Sequence, residues 1–257
     1  AATPPVPSGH NSSTRPGTPS LPSKAEMTAS RTSTASARPI RLLAVAGARP
    51  NFMKIAPIMR ALADPRHGLQ GILVHTGQHY DAAMKHAFFE QLHIPEPEID
   101  LGVGSGTHAT QTADIMKGFE PVLDRLQPRA VLVVGDVNST IACALVAVKK
   151  GIPVIHVEAG LRSGDRSMPE EINRVLTDQI SELLFTTERS AEANLRREGI
   201  APERIHFAGN VMIDTLRYHL DAAVPAVTTI GALAAAEKTQ RFMAGYGVLT
   251  LHRPSNV

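Results

Sequence analysis

The chain has 257 residues, 43% apolar and 19% charged, with 26 Lys+Arg against 24 Asp+Glu and a formal net charge of +2, enough to bury a core as one large domain or two small ones. A single cysteine excludes a disulfide framework and any cysteine-rich metal site. No run approaches the length of a membrane-spanning segment, and 4% aromatics without Trp argue against nucleic-acid binding by base stacking.

Composition shifts near residue 38. Residues 1–38 hold six Pro, eight Ser, six Thr, four basic residues and the single acidic Glu26. So little apolar surface does not offset the entropy of ordering, so this stretch is expected to be a disordered tail. An organelle transit peptide shares its Ser-rich, acid-poor composition, but the tail has no amphipathic pattern and no apolar core for secretion. Removing the tail's charges from the totals leaves 22 basic against 23 acidic residues. The basicity belongs to the tail, and the body is near neutral.

From Pro39 short apolar runs alternate with longer amphipathic ones. Ile40 to Ala46 reads as a buried strand, and Phe52 to Ala63 as a helix by its apolar spacing. Gly71 to His75 is a second strand, with helices over Asp81 to Leu92 and His108 to Leu126. Ala130 to Val134 is a strand, and a helix from Ser139 to Lys150 stops at Gly151. Pro153 to Val157 is the next strand. The helix Pro169 to Ile180 opens with Pro and two Glu, as helix starts favour. Leu183 to Thr186, a helix to Arg197, and Ile205 to Ala208 follow. The strands are near-continuous apolar runs, the mark of a parallel sheet covered on both faces. A doubly wound α/β domain over residues 39–209 is expected. Residues 210–257 add further helical stretches, an Ala-rich piece at 232–236 and an apolar run from Val248 to Leu251. They read as the beginning of a second domain that the chain does not complete.

In open α/β sheets ligands bind beyond the carboxyl ends of the strands. There the first strand gives Gly47-Ala48-Arg49-Pro50, with Lys54 one helical turn on. Glycine permits a tight turn, and a helix N-terminus offers free N–H groups to an anion. The second strand ends in His75-Thr76-Gly77-Gln78-His79-Tyr80. A metal reading with His86 and His93 fails on the glycine between the first two histidines and the lack of nearby cysteine. Gln78 and His79 are instead candidates for polar contact to a ligand. Asp136 follows Val131 to Val134 where a strand gives way to a helix, and capping by Asp136 or Asn138 is its plainer explanation. Glu158 directly follows an apolar strand where no helix needs a cap. Glu170 and Arg174 are four apart on one helix face, where a surface ion pair is the commoner outcome. Together these carboxylates and cations suggest acid/base chemistry beside a phosphate. Gly102-Val103-Gly104-Ser105-Gly106 lacks the G-x-G-x-x-G spacing of a dinucleotide loop and reads as a flexible loop. Cys143 lies on an apolar helix and is assigned to the core.

Gly47-Ala48-Arg49-Pro50, Gly135-Asp136-Val137-Asn138-Ser139-Thr140 and His156-Val157-Glu158-Ala159-Gly160-Leu161-Arg162 resemble the non-hydrolysing UDP-N-acetylglucosamine 2-epimerases. So do Pro169-Glu170-Glu171-Ile172-Asn173-Arg174, Gly209-Asn210-Val211-Met212-Ile213-Asp214 and Leu251-His252-Arg253-Pro254. The resemblance runs in order from Ile40 to Val257. It implies two Rossmann-like domains in a GT-B-type arrangement, with the second present only as its beginning. It also implies interconversion of UDP-GlcNAc and UDP-ManNAc in the cytoplasm for cell-surface polysaccharide biosynthesis. Asp136, Glu158, Glu170 and His252 would be catalytic, and Arg49, Lys54, Gln78, His79 and Arg174 would bind substrate. The implied reaction removes the C2 proton as UDP leaves C1, then adds UDP back to a glycal with C2 protonated from the other face. It needs no cofactor and no metal. The implied partner is a UDP-sugar, with no nucleic acid or membrane, and the full-length protein would be a homodimer. The chain would be inactive alone. Three departures stand out: Ala48 replaces the usual Thr, Asn51 replaces the acidic residue that often follows the first motif, and Leu251-His252-Arg253 replaces the family's Gly-His-Arg. They keep Arg49 and His252 and bear on fine substrate preference. Alternatives are a hydrolysing epimerase, a UDP-diacetamido-uronic acid 2-epimerase, and a GT-B-like glycosyltransferase or sugar-nucleotide-binding protein.

Overall fold

The computed structural model describes residues 39–77, 88–226 and 228, all within the unit Pro39–Val257. The tail, the first seven residues of the Asp81–Leu92 helix, the Ala-rich piece and the Val248–Leu251 run lie outside the described residues, as do Gln78, His79 and His252.

Seven parallel strands form one sheet: β1 (Ile40–Ala46), β2 (Leu69–His75), β3 (Ile99–Asp100), β4 (Ala130–Val134), β5 (Val154–Ala159), β6 (Leu183–Thr186) and β7 (Ile205–Phe207). Their order is β3-β2-β1-β4-β5-β6-β7. The direction of winding reverses between β1 and β4, the crevice where doubly wound sheets take ligands. The helices are α1 (Arg49–Leu62), α2 (His108–Leu126), α3 (Asn138–Lys149), α4 (Pro169–Ile180), α5 (Arg189–Arg197) and α6 (Val211–His219). None of those described is long and apolar enough to cross a membrane.

β1 shows why its sequence is apolar without alternation. Leu42, Ala44 and Ala46 pack with Phe52, Ile55, Ala56 and Met59 of α1. Leu43 and Val45 face the other way, onto Ile115, Phe119, Ala142 and Cys143 of α2 and α3. A strand covered on both sides must be apolar at every position. Burying each large side chain contributes about 1.5–3 kcal/mol. Cys143 belongs to this core, as the sequence indicated, and burial pushes its thiol well up.

Beyond shifts of one or two residues at other element ends, such as β2 starting at Leu69 rather than Gly71, three features differ from the sequence reading. β3 is two residues long, too short to leave a periodic signal. α1 begins three residues early, at Arg49, because Pro50 suits a first helical turn and Asn51 satisfies the turn before it. β5 runs on through Glu158 to Ala159, with a register shift against β6 between Val157 and Ala159.

Pro57 lies inside α1. A proline donates no N–H, so the Met53 carbonyl one turn earlier has no helical partner. Thr215 of α6 supplies one, its hydroxyl donating to that carbonyl at 2.6 Å, and α6 packs on α1. Thr215→Val should therefore leave a carbonyl unsatisfied and cost about 1–3 kcal/mol, read as a lower midpoint in urea at unchanged slope.

Candidate active site

The turn after β1 is organised by Asn51. Its side-chain oxygen accepts from the backbone N–H groups of Gly47 and Ala48 at 3.0 and 3.1 Å. Its amide donates to the Val134 carbonyl at the end of β4, at 3.0 Å. Asn51 is 2% exposed, so one buried amide ties together the two strand ends at the winding reversal. A carboxylate there could accept both N–H bonds but could not donate to the carbonyl. The departure at this position thus has a structural use.

One helical turn on, Lys54 is 5% exposed. Its ammonium meets the Glu158 carboxylate at 2.5 Å. Glu158 has φ +73°, the left-handed region that a non-glycine residue rarely occupies. It sits at the register shift in β5, and such bulges re-aim a side chain. Here the strained backbone brings the carboxylate to Lys54. Gly135, φ +66°, lies against the same pair: a Cβ there would stand 2.8 Å from the Lys54 nitrogen.

The adjacent Asp136 does not cap α3, whose cap position is Val137. Its carboxylate accepts from Arg174 Nη2, and its carbonyl accepts from Asn173 Nδ2 at 2.9 Å. Arg174 Nη1 donates to Glu171 Oε2 at 2.9 Å. The partners of Arg174 are therefore Asp136 and Glu171 rather than Glu170, which is exposed. Glu171 also accepts the backbone N–H groups of Ser163 and Gly164, each at 3.0 Å. Burial works to raise its pKa, but those two N–H groups, the Ser163 hydroxyl and Arg174 outweigh it, and the carboxyl lies below the usual glutamate range. Burial likewise opposes the charge of Arg174, and Asp136 and Glu171 together overcome it.

The depressed Glu171 has a testable sign. Its contribution to stability is complete above the unfolded glutamate pKa, about 4.3, and is lost as pH falls through the lower folded value. Melting temperature should drop on acidification from about pH 5 toward pH 3, and Glu171→Gln should flatten that drop.

Two carboxylates, each beside a cation, thus stand at the carboxyl edge of the sheet. Such a pair can exchange protons with a bound molecule while the cations hold an anion.

The family profile described as UDP-N-acetylglucosamine 2-epimerase matches residues 62–257. The chain belongs to the UDP-N-acetylglucosamine 2-epimerase family. It is 43% identical to the UDP-N-acetylglucosamine 2-epimerase of Methanocaldococcus jannaschii, over 85% of this chain and 58% of that protein. It is 42% identical to the UDP-2,3-diacetamido-2,3-dideoxy-D-glucuronate 2-epimerase of Pseudomonas aeruginosa, over 84% of this chain and 58% of that one. A crystal structure of the Methanocaldococcus jannaschii UDP-GlcNAc 2-epimerase, in complex with UDP-GlcNAc and UDP, superposes with a TM-score of 0.70 at 44% identity. It covers 74% of this chain and 53% of the crystallised one. The chain spans little more than half the length of these epimerase relatives.

Of the residues that the epimerase resemblance singled out, the structure gathers Lys54, Glu158, Asp136 and Arg174 at the β1/β4/β5 edge. Arg49 opens α1, exposed, and makes no ion pair among the described residues. Glu170 is exposed in the first turn of α4. Sequence reasoning assigned no part in building the site to Asn51, His156, Glu171, Asn173 and Asp178, which hold this edge together. His156 did leave a signal: a lone histidine within an apolar strand needs partners inside the fold. Asp178 left none.

Proposed function

We propose that the full-length protein interconverts UDP-GlcNAc and UDP-ManNAc without hydrolysis, by eliminating UDP and adding it back through a glycal. The observation that carries this is the pairing of Glu158 with Lys54 and of Asp136 with Arg174 at the sheet's winding reversal. The C2 proton of the sugar is not acidic, so its removal must accompany departure of the diphosphate from C1. One carboxylate takes the proton and another returns one to the opposite face. Asp136, Glu158 and Glu170 are the candidates, and no group of this chain need change oxidation state. Lys54 and Arg174, with Arg49 beside the α1 N-terminus, stabilise the departing diphosphate. Gln78 and His79 contribute polar contacts to substrate. A second Rossmann-like domain, opening after residue 209 and carrying His252, closes over the nucleotide in a GT-B-type arrangement. The protein works in the cytoplasm as a homodimer.

The test is turnover by the full-length protein. UDP-GlcNAc in deuterated water should yield UDP-ManNAc, with deuterium at C2 of both sugars. ManNAc plus free UDP would instead assign a hydrolysing epimerase, and binding without exchange a transferase or binding protein. The similarity to the Pseudomonas aeruginosa enzyme supports a second reading, a UDP-diacetamido-uronic acid as substrate. The ratio of kcat/KM for that sugar and for UDP-GlcNAc separates the two.

A further inference from the structure

Asp178 is the least exposed carboxylate among those at the site edge, at 0%, and it lies near the end of α4. One oxygen faces His156 Nδ1 at 2.6 Å. The other accepts the Gly160 N–H at 3.0 Å and meets Arg162 at 2.8 Å. Arg162 is tied in turn to Glu198. His156 and Gly160 stand two residues before and two residues after Glu158, so one carboxylate bridges β5 across its strained position. The bridge does not end there. His156, also 0% exposed, turns its Nε2 to the Gly135 carbonyl at 2.8 Å, beside Asp136 and against the Lys54–Glu158 pair. Both ring nitrogens face acceptors, so each contact is made by a ring N–H. Although burial works to raise it, Asp178 lies below the usual aspartate range because His156, Arg162 and the Gly160 N–H together favour its charge.

We propose that Asp178 and His156 are positioning residues of the proposed reaction: Asp178 clamps β5 on both sides of Glu158, and His156 carries that clamp to Gly135, fixing the Asp136 and Glu158 carboxylates relative to one another. A left-handed glutamate persists only where its surroundings over-determine it. A small misplacement of a reacting group costs up to about 10²-fold in rate. Neither residue touches substrate in this account, so the effect falls on kcat rather than on KM. The inference rests on the epimerase reading.

Three variants of the full-length protein test it: His156→Phe, His156→Gln and the double variant built on the latter. His156→Phe keeps a ring of similar volume and loses both hydrogen bonds. Its kcat for UDP-GlcNAc should fall about 10–10²-fold with KM little changed, and the amides of Gly135 and Gly160 should exchange hydrogen faster while β1 stays protected. In the double variant His156→Gln with Asp178→Asn, the asparagine amide donates to the glutamine oxygen. The glutamine amide then donates to the Gly135 carbonyl, and the chain of bonds is rebuilt without its charge. It should recover most of the lost kcat and amide protection. If His156→Phe does not fold, the single variant His156→Gln replaces it, since its oxygen is repelled by the Asp178 carboxylate. Wild-type kcat and amide exchange in the single variants would overturn the proposal, as would a loss that Asp178→Asn deepens. The epimerase reading is judged separately by wild-type turnover, and the amide exchange reads the clamp without any turnover.

Discussion

Glu158→Gln in the full-length protein is expected to lower C2 proton exchange by about 10³-fold or more, within or beyond the usual range for removing an acid/base group, while UDP binding stays largely intact. The amide is nearly isosteric and keeps an oxygen for Lys54, so the 2.5 Å contact can survive as a neutral–charged hydrogen bond. What disappears is the ability to take and return a proton. The bulged, left-handed backbone that aims this side chain is set by its neighbours and persists. The proposed cations for the diphosphate, Lys54 and Arg174, are untouched, although Lys54 now lacks a counter-charge in a nearly closed setting, a deficit that itself destabilises. Isotope exchange at C2 together with UDP titration separates these effects. Exchange at the wild-type rate would remove Glu158 from the chemistry. Loss of UDP binding in step with exchange would make it a structural group.

Much of this arrangement was legible in the sequence, because parallel strands buried on both faces advertise themselves as unbroken apolar runs. Ile40 to Ala46 and Ala130 to Val134 were found at their true limits. The carboxyl ends of those runs, and of the run Pro153 to Val157, then located Lys54, Asp136 and Glu158. The pairing among the charges was not legible. Spacing within one helix suggested Glu170 with Arg174, yet a three-dimensional partner from the turn after β4 competes for the same guanidinium, and Arg174 turns to Asp136 and Glu171. Local periodicity reports which residues share a helix face, and says nothing of what another strand brings up against it. Nor could it show the Asp178 clamp, whose members come from β5, α4 and the turn after β4. Asn51 is a further case. As a motif residue it looked like a substitution affecting substrate choice, while its amide joins two strand ends across 83 positions of sequence.

Gly135→Ala should be damaging although it removes no catalytic group, for reasons of space and backbone together. The added Cβ would lie 2.8 Å from the Lys54 nitrogen, 3.5 Å from the Asn51 amide nitrogen and 3.8 Å from Glu158 Oε1. A distance of 2.8 Å is closer than carbon and nitrogen tolerate without a bond, so Lys54 must retreat. Its contact with Glu158 then opens, in a place where both side chains are nearly buried. The φ of +66° adds its own cost, about 1–2 kcal/mol for a residue with a Cβ in the left-handed region. If the turn relaxes instead, the Gly135 carbonyl moves off His156 and Asp136 moves with it. Either way the two carboxylates lose their arrangement, and kcat should fall by about 10²-fold with a lower melting temperature. A shift of Lys54 alone raises KM for UDP-GlcNAc as well, whereas relaxation of the turn spares KM, so the KM–kcat split identifies which part gives way. Wild-type kinetics in a folded Gly135→Ala protein would mean that Lys54 has room to move without consequence, and that its pairing with Glu158 is not part of the active arrangement.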